Sequence, residues 1–424
     1  MLKVAVISDT HLGFAYGTER QEDSFINFEQ AFNNAVREQP QAILLGGDIF
    51  HDRIPKQEIL GRAIELFTKM NRAMKKKLTV VRKIKDGKVE LEKYQIPPII
   101  AIWGTHERRH KGSTNPVQIL EKAGLLYCLH AESILLEIDT DKLGVHGLSG
   151  VPEPYAKDAL RTWSPAPFKE GPNILMIHQN FKEIMPPVDH YLEFKDLPKD
   201  FNVYLLGHIH NTSQNKHPIS KNPIITVGST VSTQMQKSES ETEKGLYVLE
   251  FGRLQGGIKF IPINTRKLIY EDFDITGNKP SDVYFKLAEK IDSHLKKHYE
   301  LKPMVRIRLI GMLPDGFSPE DIKLSRLIKE YSDKCIISLD KSKISSSELE
   351  KGSQLLQDIK QNRFSVDKVG LEILSKSLRN AISQEKLHNL FELLSVGELE
   401  KAEQELNSGV KNAQENKIAE LESA

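Results

Sequence analysis

The feature that most constrains this chain is a series of short apolar runs, most of them followed at once by a polar residue or glycine. They occupy residues 4–7, 42–45, 99–103, 174–177, 203–206 and 224–227. Each is about the length of a buried strand. Between the first two, Phe25, Phe28, Phe32 and Val36 recur at helical spacing and predict a helix. Strands alternating with helices predict an α/β fold, a layered sandwich of sheets flanked by helices. A closing strand is expected over residues 245–251.

With 424 residues the chain exceeds one typical domain. The layered domain is expected over residues 1–260. A small α+β domain follows over 267–339, with a helix at 281–298 and strand-like runs at 304–310 and 335–339. Residues 340–367 are polar, contain Ser345, Ser346 and Ser347 in a row, and suit a linker. Residues 368–408 turn helical again. Leu387, Leu390, Phe391 and Leu394 form one apolar stripe, and Ser395 with Glu398 fits a capping box that starts a second helix with Leu399, Ala402 and Leu406 on its face. Two short amphipathic helices either cover a partner surface or dock on their own chain. Residues 409–424 are expected to be disordered.

Composition excludes several classes. A net charge of +1 does not announce nucleic acid, so any basic surface must be local. Cys128 and Cys335 stand far apart with no C-x-x-C pattern, which argues against a disulfide scaffold or a thiolate zinc site and fits a reducing compartment. No signal peptide is expected at the start, and no apolar stretch approaches the roughly 18 residues a membrane span needs. The expectation is a cytoplasmic, nucleoid-associated protein.

Five segments carry chemistry, each after a predicted strand. They are Asp9-Thr10-His11, Gly47-Asp48 with His51, Gly104-Thr105-His106-Glu107, His178 in Ile177-His178-Gln179-Asn180, and Gly207-His208-Ile209-His210. Loops at strand ends are where open sheets place ligand sites. Carboxylates and imidazoles without thiolates suit Mn, Fe or Zn in catalytic centres. Asp9-x-His11 and His208-x-His210 are read as paired ligands on one side of an extended chain, and Asp48 as the carboxylate able to bridge two ions. Two ions about 3.5–4 Å apart clamp a phosphate and lower the pKa of a bound water.

In order, these segments resemble the calcineurin-like metallophosphoesterases, whose motifs are D-x-H, G-D, G-N-H, H and G-H-x-H. The fragments Ile7-Ser8-Asp9-Thr10-His11-Leu12-Gly13, Gly46-Gly47-Asp48-Ile49-Phe50-His51 and Gly207-His208-Ile209-His210 are similar to those of SbcD-type DNA repair nucleases, called meiotic recombination eleven nucleases in archaea and eukaryotes. The resemblance implies a nuclease domain, a DNA-binding capping domain and a C-terminal helix-loop-helix. It implies two Mn2+ per subunit, one held by Asp9, His11, Asp48 and His210, the other by Asp48, His178, His208 and the residue at position 105. It implies that His106 acts on the transition state or leaving group and that His51 orients the phosphate. It further implies a double-strand 3′-to-5′ exonuclease and single-strand endonuclease that processes DNA ends in double-strand break repair, a homodimer, and an SMC-like ABC ATPase bound through Leu387, Leu390, Phe391, Leu394 and Leu399. One departure is clear. The family has asparagine where this chain has Thr105, and a threonine hydroxyl is a shorter and weaker ligand. Two alternatives stay open: a phosphodiesterase for nucleotides, and a non-catalytic DNA-end-binding scaffold for the ATPase.

Arg108, Arg109, His110 and Lys111 follow the third segment and are read as DNA contacts. The stretch 65–93 holds ten Lys/Arg against four Asp/Glu, and either contacts phosphate or forms a solvated helix and hairpin face, with Asp86-Gly87 as its turn. His130, His146 and Trp103 are read as core, and the acidic run Glu239, Glu241 and Glu243 as a solvated loop.

Overall fold

The computed structural model describes residues 1–91, 93–110, 112–185, 189–252, 256–345, 371, 384–395, 398–399 and 401–404. Two sheets stack face to face. In spatial order the first comprises Gly257–Pro262, Gly245–Phe251, Leu2–Ile7, Ala42–Leu45, Ile99–Ala101 and Tyr127–Cys128. Its last four strands are parallel, Gly245–Phe251 runs antiparallel to them, and Gly257–Pro262 runs antiparallel to Gly245–Phe251. The second comprises Ser213–Lys216, Pro223–Thr226, Val203–Gly207, Asn173–His178, Asp141–Leu148, Glu132–Ile138, Leu78–Lys85 and Lys88–Glu90, with Tyr94–Ile96 also paired to Leu78–Lys85. Its strands from Pro223–Thr226 to Asp141–Leu148 are parallel.

Strand alternation explains why the parallel strands are apolar throughout. Val4, Val6, Leu44 and Ile100 of the first sheet meet Val145, Ile174, Met176 and Leu205 of the second. The intervening Ala5, Ile7, Ile43 and Leu45 point the other way, onto Phe28, Phe32 and Phe67 of the helices Asp23–Arg37 and Gln57–Met74. On the far side, Leu175, Ile177, Tyr204 and Leu206 pack with Leu160 of Ala156–Trp163 and with Phe181 and Phe194. The result is the expected layered fold, helix on sheet on sheet on helix, with the central parallel strands of both sheets buried on both faces. Phe28 and Phe67 meet at 5.7 Å between ring centroids. Truncating either to alanine would cost about 3–5 kcal/mol by emptying that layer.

Beyond the sandwich, Leu268–Asp274, Met304–Met312 and Ile336–Ser345 form a three-stranded sheet, with helices Pro280–Leu295, Leu324–Tyr331 and Gln384–Ser395. The chain divides into two compact units that interleave in sequence. One takes Met1–Asp272, Ile291–Arg308 and Arg326–Asp340, and the other takes Phe273–Lys290, Leu309–Ser325 and the described residues from Lys341. Two expectations need correction. Residues 340–345, read as the start of the linker, continue a strand that runs to Ser345. Gly245–Phe251 does not close its sheet, because Gly257–Pro262 pairs outside it and crosses the expected boundary at 260. The remainder of the expected linker and the 409–424 tail lie outside the described residues. No helix among the described residues is long and apolar enough to cross a membrane. Cys128 and Cys335 are both buried and free.

Candidate metal centre

The parallel strands of both sheets end at one edge of the sandwich, and the five segments leave from those ends. The backbone there is not extended, as the D-x-H spacing suggested. Asp9, His11, Asp48 and His208 all take left-handed conformations, with φ of 50°, 45°, 46° and 80°. Such residues cost of order 1–3 kcal/mol each and persist only where their surroundings fix them. Here the first two loops zip together, His11 N donating to Asp48 O at 3.0 Å and Leu12 N to Ile49 O at 2.7 Å. The glycines of these motifs answer to crowding. A side chain at Gly104 would run into the Asp48 carboxylate, and Gly47, at φ 95°, lies against His178.

Three groups of ligand-type atoms converge, with members of each within 4.8 Å of one another: Asp9, His11 and His210; Asp48, His178 and His208; and His11, His51 and His106. Asp9 and Asp48 are 0% and 1% exposed. Asp9 is fixed by Ser8 Oγ at 2.5 Å and by His208 N at 3.0 Å. Asp48 Oδ1 accepts from His106 N at 2.8 Å. Burial raises the Asp9 carboxyl to about 6, opposed by His178 and assisted by Asp48. Burial pushes Asp48 upward too, yet the facing His178 outweighs it and holds Asp48 below the ordinary carboxylate range.

This pocket is built for positive charge. His178 Nδ1 lies 2.8 Å from the Gly46 carbonyl, which can only accept, so Nδ1 donates. The other ring nitrogen then faces Asp48 Oδ2, 3.2 Å away, without a satisfactory hydrogen bond among the described residues. A lone pair facing a buried carboxylate needs a cation between them, or a proton. Burial opposes that proton, but Asp48 outweighs burial and lifts His178 to about 10. The second group repeats the theme: His11 Nε2 and His210 Nε2 face each other at 3.0 Å. Burial holds His11 well below its ordinary value, so that ring is neutral. Burial, reinforced by His178, likewise lowers His208 to about 4. Neutral imidazoles and ionised carboxylates are the forms that bind divalent cations, and a cation facing Asp48 would take the place of the His178 proton, so the donor set fits a two-metal centre.

His106 Nδ1 lies 2.5 Å from the His51 carbonyl and donates to it, leaving its Nε2 unengaged among the described residues. The His51 and His106 rings are 5.1 Å apart, and both line an open cavity of about 610 Å³ with Thr105, Asp52 and Arg53. Burial, then His106, depresses the His51 pKa. Thr105 Oγ1 lies 3.4 Å from both Asp48 Oδ2 and His208 Nδ1. Glu107 is fully buried and accepts from Phe50 N at 2.7 Å and Gly104 N at 2.6 Å, which ties the second loop to the third.

Arg108 and Arg109 are half-buried beside this rim, and Arg108 Nη1 has no partner among the described residues. Lys111 lies outside them. Five of the ten basic residues in the stretch 65–93 are ion-paired: Lys69 with Glu29, Arg82 with Glu170, Lys83 and Lys85 with Glu132, and Lys93 with Glu137. Its turn is as expected, with Asp86 and Gly87 at φ 49° and 71°. His146 is core, its ring nitrogens 2.8 Å from Ser133 Oγ and 3.0 Å from Asn173 Oδ1. The reading of Glu239 as solvated is wrong. Glu241 and Glu243 are exposed, but Glu239 is buried behind His210, 3.6 Å from its Nδ1. The only signal for it in the sequence is the nearby Lys244, a poor one. On the C-terminal helices Leu390 is 4% exposed, whereas Leu394 and Leu399 are 42% and 68% exposed. Phe391 is half-buried, and the side chain of Leu387 lies outside the described residues.

Residues 2–212 match the family of calcineurin-like phosphoesterases. The chain is similar to three proteins called DNA double-strand break repair protein Mre11. With that of Sulfolobus acidocaldarius it is 26% identical over 316 residues, 73% of this chain and 75% of that protein. With that of Saccharolobus solfataricus it is 28% identical over 214 residues, half of each chain. With that of Methanopyrus kandleri it is 23% identical over 356 residues, 80% of this chain and 70% of that protein.

Proposed function

From a chain that belongs to the calcineurin-like phosphoesterases through residues 2–212, we propose a manganese-dependent DNA nuclease that processes ends in double-strand break repair. The observation that carries this reading is the buried His178 Nε2 facing Asp48 Oδ2 across 3.2 Å, beside the facing nitrogens of His11 and His210. Asp9, His11, Asp48 and His210 would hold one Mn2+, and Asp48, His178 and His208 would hold the other, with Thr105 at its edge. When bound, the ion pair supplies charge neutralisation at a phosphodiester and an acidified water. His106, its Nδ1 engaged by the His51 carbonyl, presents Nε2 to the leaving oxygen, to which its imidazolium form would give the Nε2 proton and keep the one on Nδ1. His51 orients the phosphate from the same rim. Arg108 and Arg109 hold the DNA backbone next to it, as sequence-blind phosphate contacts.

The resemblance to the Mre11 proteins supports DNA ends as the substrate, a 3′-to-5′ exonuclease on duplexes with endonuclease action on single strands, a homodimer, and an SMC-like ABC ATPase as partner. The exposure of Leu394 and Leu399 suits that ATPase as their cover. The test is digestion of end-labelled duplex DNA with manganese, comparing the unaltered chain with His106→Ala. Manganese-dependent loss of label that disappears in the variant is the expected result. No cleavage in excess manganese, even with the ATPase present, would overturn it and favour a scaffold.

A further inference from the structure

Behind the His210 ring lies a buried ion pair outside the metal-binding set. Glu239 is 5% exposed and Lys244 2%. Glu239 belongs to the short helix Lys237–Glu241. Its Oε1 accepts from Thr233 N at 3.2 Å and its Oε2 from Gln234 N at 2.9 Å, which folds the loop back over His210. Lys244 Nζ donates to Ser229 Oγ at 2.9 Å and to the His210 carbonyl at 3.0 Å, and lies 3.5 Å from Glu239 Oε1. The cation thus grips the backbone of His210 while the carboxylate faces its ring. Glu239 Oε1 is 3.6 Å from His210 Nδ1, and Thr233 Oγ1 is 3.1 Å from the same atom.

An ionised carboxylate only accepts hydrogen bonds, whereas a threonine hydroxyl can accept or donate. Thr233 alone leaves the tautomer of His210 undecided. Adding Glu239 decides it, because a lone pair on Nδ1 would face an anion in a buried site. The proton therefore sits on Nδ1, and the Nε2 lone pair points at the gap shared with His11, 3.0 Å away. We propose that Glu239, held in place by Lys244, is a positioning residue for His210, locking its tautomer and raising the basicity of Nε2 toward a divalent cation. Carboxylates in this position behind metal-binding imidazoles commonly have this effect. Stability alone is a poor reason for the pair, since buried ion pairs gain little over apolar replacements. The proposal rests on the metal-binding role given to His210 above.

Manganese binding to the metal-free full chain, followed by calorimetry, tests it in the unaltered protein, E239Q and E239Q/K244M. The double variant removes both charges together, so no lone charge stays buried. Affinity at one of two sites is expected to fall about ten-fold or more in both variants. Nitrogen-15 spectra of the unaltered protein, with the His210 signal assigned by its loss in H210Q, read the tautomer without depending on how the Glu239 variants fold. A proton on Nδ1 is expected. A proton on Nε2 would overturn the proposal, as would full manganese affinity in folded E239Q/K244M. If the unaltered chain binds no manganese, the metal-binding role of His210 falls first and the proposal falls with it.

Discussion

Replacing Thr105 with asparagine should tighten divalent-cation binding at the group formed by Asp48, His178 and His208. Thr105 Oγ1 already points between two of these residues, 3.4 Å from Asp48 Oδ2 and 3.4 Å from His208 Nδ1. Both distances exceed the roughly 2.7–3.2 Å of ordinary hydrogen bonds, so the hydroxyl reaches toward the gap without filling it. An asparagine carries its carbonyl oxygen one bond further from the backbone, about 1.2 Å. The open cavity of about 610 Å³ beside Thr105 leaves room for the longer side chain. Outer partners of metal ligands are themselves worth about 10–100-fold in affinity, so an added amide oxygen should gain at least about ten-fold, or about 1.4 kcal/mol. Calorimetric titration of metal-free protein with manganese measures this directly. DNA cleavage against manganese concentration should shift by the same factor while its plateau holds, because occupancy and not chemistry is what changes. Unchanged affinity in a folded T105N protein would refute the reasoning, since position 105 would then not face the cation.

Other expectations follow from single side chains. His106→Ala should cut DNA cleavage by about 10²–10⁴-fold and leave manganese affinity intact; weakened binding would show that the ring serves the metals. Glu107→Gln turns an amide N–H2 toward either Phe50 N or Gly104 N, which should cost about 1–3 kcal/mol and lower the melting temperature; an unchanged Tm would mean the loop junction tolerates an unpaired donor. His146 lies in the core, where burial lowers its pKa to about 4 against 6.5 for the free imidazole, with Asn173 partly opposing. The unfolded chain takes up that proton first, so the stability is complete above pH 6.5 and is lost as pH falls toward 4, by roughly 3 kcal/mol in all; a His146→Gln protein whose Tm keeps the original slope over this range would refute the assignment. Arg108→Ala with Arg109→Ala should weaken DNA binding and flatten its logarithmic salt dependence by about 0.9 for each phosphate no longer neutralised, and an unchanged slope would remove both from the interface.

The parallel strands were legible because both their faces are buried, so Val4 to Ile7 and Ile174 to Ile177 are apolar without interruption. Gly257–Pro262 is not legible because an edge strand buries only some of its side chains, and Ile258 and Phe260 alternate too briefly to stand out. The ligand-type residues were legible for a chemical reason: cation binding demands aspartate and histidine, and the strand ends announce where they gather. The conformation that presents them was not. Left-handed backbone at Asp9, His11, Asp48 and His208 follows from the zipped first two loops and the crowding around Gly104, and both depend on residues distant in sequence. Glu239 is the sharper case. Within Ser238 to Glu243 its neighbours Glu241 and Glu243 are exposed, and nothing local separates it from them. It is distinguished by the Lys244 ammonium that meets it in the core and by the His210 ring it faces, a residue from another strand end. Side chains that touch the substrate or its ions are restricted in type and so can be read from a sequence. Those that orient them are restricted only in place, and place is settled by the fold.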